Sequence, residues 1–188
     1  LGDLQSHSAT TVRVECRRAM MPAVSTVAGE VKEVSFTVHV HDSLIAGTNQ
    51  KVRLKARELN YWHWDNKLTI EFNDILPKLC GLEITEAKNI PTVFLAGNST
   101  VVDQAEEPYA AWGQMIPQFF KPGSVAIANY AESGESLSSF YASKRLEKIL
   151  SLMKTGDYLF IEFAHNDQKQ KGEGIGPWTS YTKSLKQY

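Results

Sequence analysis

Ser99, Gly134 and Asn166 each stand just beyond an apolar run that reads as a β-strand. The first run is Thr92–Ala96, followed by Gly97, Asn98, Ser99 and Thr100. The second is Val125–Asn129, followed by a loop carrying Glu132, Ser133, Gly134, Glu135 and Ser136. The third is Tyr158–Phe163, followed by Ala164, His165, Asn166 and Asp167. In an open parallel sheet, ligands bind in the crevice beyond the carboxyl ends of the strands. A serine hydroxyl, a glycine amide and an asparagine amide meeting there are the parts of a nucleophile with an oxyanion hole. Each residue also has a plainer reading. Ser99 could cap a helix, Gly134 could be an ordinary loop glycine, and Asn166 could form a turn at a strand end.

In this order and spacing the three blocks resemble the SGNH (GDSL-type) hydrolases, and within them the rhamnogalacturonan acetylesterases, which deacetylate pectin. The resemblance covers about Ile90 to Tyr188 and includes Asp103 and Asn129. It implies an α/β fold with Ser99 as nucleophile. The backbone amides of Ser99 and Gly134 and the side-chain amide of Asn166 would form the oxyanion hole. Asp103 would organise the nucleophile loop or accept sugar hydroxyls. His165, next to Asn166 but pointing elsewhere, is a candidate base, with a structural role or a place lining the substrate cleft the favoured reading. No metal or organic cofactor is expected. Three departures stand out: Asn98 replaces the usual Asp, Ala164 replaces the usual Gly, and the fourth block, Asp-x-x-His, is not found. The catalytic base is therefore expected beyond Tyr188, with this chain a fragment. The implied activity is removal of acetyl groups from an acetylated pectic polysaccharide or oligosaccharide, by a secreted or periplasmic protein. A non-catalytic carbohydrate-binding protein on the same scaffold, or a lipase or thioesterase of this type, are the alternatives.

The composition is that of an ordinary globular chain. Of 188 residues, 43% are hydrophobic and 22% charged, and the net charge is −1. Long-range attraction therefore favours neither nucleic acid nor an anionic membrane as partner. The composition does not indicate an oligomeric state. No apolar run approaches the roughly 18 residues of a spanning helix. The opening residues Leu1–Gln5 lack the charged-then-apolar pattern of a signal peptide. Cys16 and Cys80 could pair if the protein is exported, although free, buried thiols are the commoner outcome at such spacing. On a strand, His39 and His41 would face opposite sides, which argues against joint metal ligation.

The elements that must position the site fall into two halves. From Thr11 to about Glu86, alternating apolar residues predict antiparallel strands with one wet face: Thr11–Cys16, Glu33–Val40, Lys51–Lys55, Lys67–Phe72 and Leu82–Thr85. They resemble part of a galactose-binding-like, jelly-roll β-sandwich, giving a domain over residues 1–88. Glu86–Pro91 reads as a linker. Residues 89–188 then read as the N-terminal part of an SGNH-type parallel, three-layer α/β domain. One helix is expected over Tyr109–Phe120, with Trp112, Met115, Ile116 and Phe119 on one face and Pro117 shortening it. A second is expected over Leu137–Lys154, with Leu137, Tyr141, Ile149 and Met153 on its apolar face and Gly156 as its stop. In Tyr61–Trp64, alternation would put Trp62 and Trp64 on one face and Tyr61 and His63 on the other, with packing favoured over sugar stacking.

Overall fold

A computed structural model describes residues 1–188. Strand β1 (Ser8–Val14) buries Ser8, Thr10, Val12 and Val14, every second residue, as its sequence alternation requires. It pairs antiparallel with β2 (Arg18–Ala19), β3 (Val24–Thr26) and β4 (Ile70–Leu76). β2 and β3 share one edge of β1 and β4 takes the other, with an irregularity in register between Ala9 and Thr11. The strands expected at 33–40, 51–55 and 82–85 are not regular strands. Their backbones run outside any ladder, apart from isolated bridges such as Leu44 to Lys51. Between Lys32 and Leu68 the one regular element is a 3-10 turn over Ala56–Asn60. The N-terminal half thus contains an antiparallel sheet.

The second half alternates strand and helix as predicted. β5 (Thr92–Gly97) is flanked by β6 (Ala126–Asn129) and β7 (Tyr158–Glu162), both parallel to it. β5 is buried along its whole length, as the central strand of a sheet covered on both faces must be. Helix α1 (Trp112–Met115) passes at once into a 3-10 turn over Ile116–Phe119. Pro117 lacks the N–H that an α-helix would use there. The expected apolar face is only partly buried, because Phe119 is 79% exposed. The single helix expected over Leu137–Lys154 is two, α2 (Leu137–Ala142) and α3 (Arg145–Leu152), separated by Lys144 in the left-handed region at φ 65°. Ser136 caps α2 by accepting the Ser139 N–H. After β7 the chain ends in the short helix α4 (Thr182–Leu185).

The two faces of the parallel sheet pack differently. On one, Phe94, Ala96, Ala128 and Tyr130 meet Phe140, Leu146 and Ile149 from α2 and α3. Val52 and Trp64 of the N-terminal half complete this cluster. On the other face Val93, Leu95 and Ile127 meet Val101, Val102 and Ala131. The Tyr61–Trp64 alternation fails, since the segment turns: Trp64 and His63 are buried together while Trp62 is exposed. Nor are His39 and His41 on opposite sides. Their rings lie 5.7 Å apart, and His41 stacks on Tyr130 at 4.4 Å. Cys16 is buried, Cys80 is exposed, and both are free thiols. No helix is long and apolar enough to cross a membrane.

Candidate functional site

The three loops leave the same edge of the parallel sheet. Register pairs Leu95 with Asn129 and Gly97 with Glu162, so β7 ends level with β5 while β6 stops two residues earlier, neighbouring strands lying about 4.8 Å apart. After β5 the chain folds back on itself. Val101 and Val102 both donate their N–H to the Asn98 carbonyl at 3.0 Å. A Cβ on Gly97 would lie 2.4 Å from Val101 Cγ2, so only glycine permits this turn. Asn98 is buried, and its Oδ1 accepts from the Thr100 N–H and hydroxyl at 3.1 and 3.0 Å. Its Nδ2 is buried without a partner. A carboxylate at this position would keep both acceptor contacts and leave no orphan donor. Ser99 lies half-buried at the apex. Neither its N–H nor its hydroxyl makes a hydrogen bond, while its carbonyl accepts from Gln104 Nε2 at 3.1 Å.

Asn129, at the end of β6, holds this loop from beneath. Its Nδ2 donates to the Val101 carbonyl and to Asp103 Oδ1, both at 2.7 Å. Asp103 Oδ2 takes Arg18 from β2, with Nη2 at 2.7 Å and Nε at 3.0 Å. Both side chains are 1% exposed. Arg18 also donates to the Ile127 carbonyl at 3.2 Å. Asp103 therefore organises the Ser99 loop. Both its oxygens face inward and are already bonded.

The loop after β6 is tied to the first by the Glu132 N–H, which donates to the Gly97 carbonyl at 3.2 Å. Glu132 to Glu135 then form a β-turn closed by the Glu135 N–H on the Glu132 carbonyl. Gly134 is third in that turn with φ 84°, the type II arrangement that glycine alone adopts easily. Its N–H has no hydrogen-bond partner. Burial raises the Glu132 carboxyl above its ordinary value, and the neighbouring Glu58 adds to this; Arg57 pulls it the other way.

The loop after β7 closes on both others. Glu162 lies against the Thr100 hydroxyl and accepts, at 2.6 Å, from Trp112 Nε1. Asn166 Nδ2 donates to the Glu135 carbonyl at 3.0 Å. A primary amide carries two N–H groups, so this bond fixes the side chain and leaves a donor. Asp167 holds the loop against α2, accepting from the Leu137 N–H at 3.0 Å and the Ala164 N–H at 3.1 Å. Ala164 sits at φ 94°, a region that strains any residue with a Cβ. His165 is exposed, and its Nε2 lies 3.0 Å from Lys169 Nζ. It makes no bond to Ser99. No group of three His, Cys, Asp or Glu residues is arranged to hold a metal ion.

Sequence reasoning missed Arg18, Lys55, Arg57 and Glu162 as builders of these loops. Glu162 left a signal, a lone carboxylate ending an otherwise apolar strand. The other three are surface-type charged residues, Lys55 at the end of an alternating segment, Arg57 just after it and Arg18 just after an expected strand, and nothing local marks their distant partners.

No family model matches this sequence. Over 95 residues, 50% of this chain and 40% of the relative, it is 49% identical to the rhamnogalacturonan acetylesterase RhgT of Bacillus subtilis (strain 168). Over 99 residues, 51% of this chain and 45% of the relative, it is 35% identical to the probable rhamnogalacturonan acetylesterase YesY of the same organism. A rhamnogalacturonan acetylesterase of Emericella nidulans is 34% identical over 89 residues, 47% of this chain and 34% of that protein. The chain thus spans less than half the length of these curated relatives. Among solved structures, the crystal structure of the Bacillus subtilis protein YxiM is similar with a TM-score of 0.44 at 17% identity, covering 97% of this chain and 46% of that one. The homologues of this chain are therefore rhamnogalacturonan acetylesterases and related esterases, in agreement with the SGNH-type resemblance of its three motif blocks.

Proposed function

We propose that the intact protein is a carbohydrate acetylesterase acting by serine acyl transfer on an acetylated pectic polysaccharide or oligosaccharide, rhamnogalacturonan by preference. The observation that carries this reading is the pair of unbonded backbone N–H groups on Ser99 and Gly134, in the loops at the carboxyl ends of adjacent strands, beside the anchored amide of Asn166. Ser99 Oγ would attack the acetyl carbonyl. The bond to the sugar oxygen would break with a proton delivered to the leaving hydroxyl, and water would then release acetate from the acetyl-enzyme. The three donors would hold the oxyanion in both steps. The general base that these steps need is assigned to a residue outside these 188. The antiparallel sheet is proposed as part of a jelly-roll-like sandwich over residues 1–88. Residues 89–188 would be the N-terminal part of the SGNH domain, in a secreted or periplasmic protein.

The unpartnered Ser99 hydroxyl also fits a second reading, a carbohydrate-binding protein without catalysis. A fluorophosphonate probe separates the two. Labelling of the intact protein at Ser99, located by mass spectrometry and lost in Ser99→Ala, supports the esterase. Intact protein that takes no label supports the binder. In the esterase, Asn166→Ala should lower kcat for acetate release about 100- to 1000-fold, as loss of one oxyanion donor does. A kcat within threefold of wild type would remove Asn166 from the hole.

A further inference from the structure

We propose that Lys55 and Arg57 are positioning residues that hold the Gly134 N–H toward the reacting centre. This rests on the reading of Gly134 as an oxyanion donor. Lys55 Nζ and Arg57 Nη2 each donate to the Ser133 carbonyl at 2.6 Å. Two cations therefore grip a single peptide oxygen, and that peptide is the one whose N–H belongs to Gly134.

The consequence follows from peptide geometry. In a trans peptide the C=O and the following N–H point to opposite sides of one plane. Pinning the Ser133 oxygen toward the N-terminal half therefore turns the Gly134 N–H away from it. The peptide has a real alternative. Type I and type II turns differ by a flip of the peptide between their second and third residues, and that peptide here is Ser133–Gly134. Glycine at φ 84° records the type II state. Releasing the carbonyl would let this peptide rotate and carry the N–H out of the site. Withdrawing electron density from the carbonyl also strengthens the N–H as a donor, because hydrogen bonds in series polarise one another.

The clamp is itself braced. Lys55 pairs with Glu135 at 2.7 Å, and Arg57 pairs with Glu132; both carboxylates are buried. The Lys55 N–H donates to Glu58 Oε2 at 2.7 Å, and Glu58 is fixed by the buried Arg145. A short 3-10 turn in the irregular N-terminal half thereby reaches a peptide of the site in the other half.

The test uses the intact protein bearing Arg57→Met, Lys55→Met, both together, and Arg57→Lys. Two readouts are taken: the rate of fluorophosphonate labelling at Ser99, and the kcat and KM for 4-nitrophenyl acetate. Each methionine variant should lower the labelling rate and kcat about tenfold and the double variant about 100-fold, approaching loss of one oxyanion donor, with KM within threefold of wild type. Arg57→Lys should recover most of the loss, since any cation reaching the Ser133 oxygen restores the grip. A double variant that melts like wild type and labels at the wild-type rate would overturn the proposal, as would a loss carried by KM alone. If the unaltered protein takes no label, the reading of Ser99 fails instead. The clamp is then read from the Gly134 amide resonance, which should shift in the double variant. A resonance left in place would overturn the clamp independently of catalysis.

Discussion

From Thr92 to Glu162 the backbone is ordered mainly by parallel ladders and helices, and apolar residues pack on both faces of one sheet. From Lys32 to Leu68 the only regular element is a five-residue 3-10 turn, accompanied by isolated bridges. The irregular stretch is nonetheless not loosely attached. It places Val52 and Trp64 in the same cluster as Phe94 and Phe140. It also sends Lys55, Arg57 and Glu58 into the loops and helices of the other half. The first stretch is thus held by regular ladders and helices, and the second by long-range polar and aromatic contacts. The site loops stand where the two kinds of order meet: Arg18 reaches the Ser99 loop, and Lys55 and Arg57 reach the Gly134 loop.

If Arg18 fastens the halves, Arg18→Met should have the largest effect on stability. It leaves the Asp103 carboxylate buried without its cation, which costs about 3–5 kcal/mol. Urea unfolding should show this as a lower midpoint with an unchanged slope. Adding Asp103→Leu should recover much of it, because removing both charges leaves none unpaired. A wild-type midpoint for Arg18→Met would mean that the halves are not coupled through this pair.

The aromatic contact between the halves should respond to acid. Burial lowers His39 and His63 from 6.5 to about 4, and lowers His41 well below 6.5. These imidazoles stay neutral in the fold, whereas the unfolded chain takes up their protons as pH falls from 6.5 to 4. Stability is therefore full above pH 6.5 and lost through that window, by up to about 3 kcal/mol for His63. Burial of Glu15, raised to about 7, acts oppositely: the folded state keeps that proton between pH 4.5 and 7, so its contribution grows as pH falls. The raised Glu132 acts in the same direction as Glu15. Three imidazoles against two carboxyls leave a net loss in acid. His63→Phe should flatten the fall of unfolding free energy between pH 6.5 and 4. An unchanged pH slope would place His63 in a more hydrated setting than its 3% exposure indicates.

The smallest effect sharpens the contrast inside the regular half. Ala164→Gly should stabilise by about 1 kcal/mol, because the φ of 94° strains a Cβ. Thermal melting should show a rise of a few degrees, and a fall would mean that the loop relaxes on its own.

Legibility followed the same division. β5, β6 and β7 match their apolar runs to within about a residue; for β5 and β6 the reason is that burial on two faces demands continuous apolar sequence, whereas β7 is an apolar edge strand that stays partly exposed. The break at Lys144 was hidden, since no glycine or proline marks it. In the N-terminal half, alternation overlapped β1 over Thr11–Val14 and β4 only over Ile70–Phe72, and it also predicted three strands that do not form ladders. Alternation records which residues can face a core. Whether a strand forms depends on a partner edge, and that partner is distant in sequence.

The sequence by itself determined which chemistry the loops could carry and in what order, since Ser99, Gly134 and Asn166 are set by local pattern at strand ends. Only the tertiary structure decided that Asp103 faces inward to Arg18 and Asn129, that His165 points to Lys169, and that two cations from an irregular segment grip the Ser133 carbonyl. Those contacts join residues 78 to 85 positions apart across the two halves in the case of Lys55 and Arg18. A charged side chain carries no sequence mark of the distant partner that will satisfy it once water is excluded.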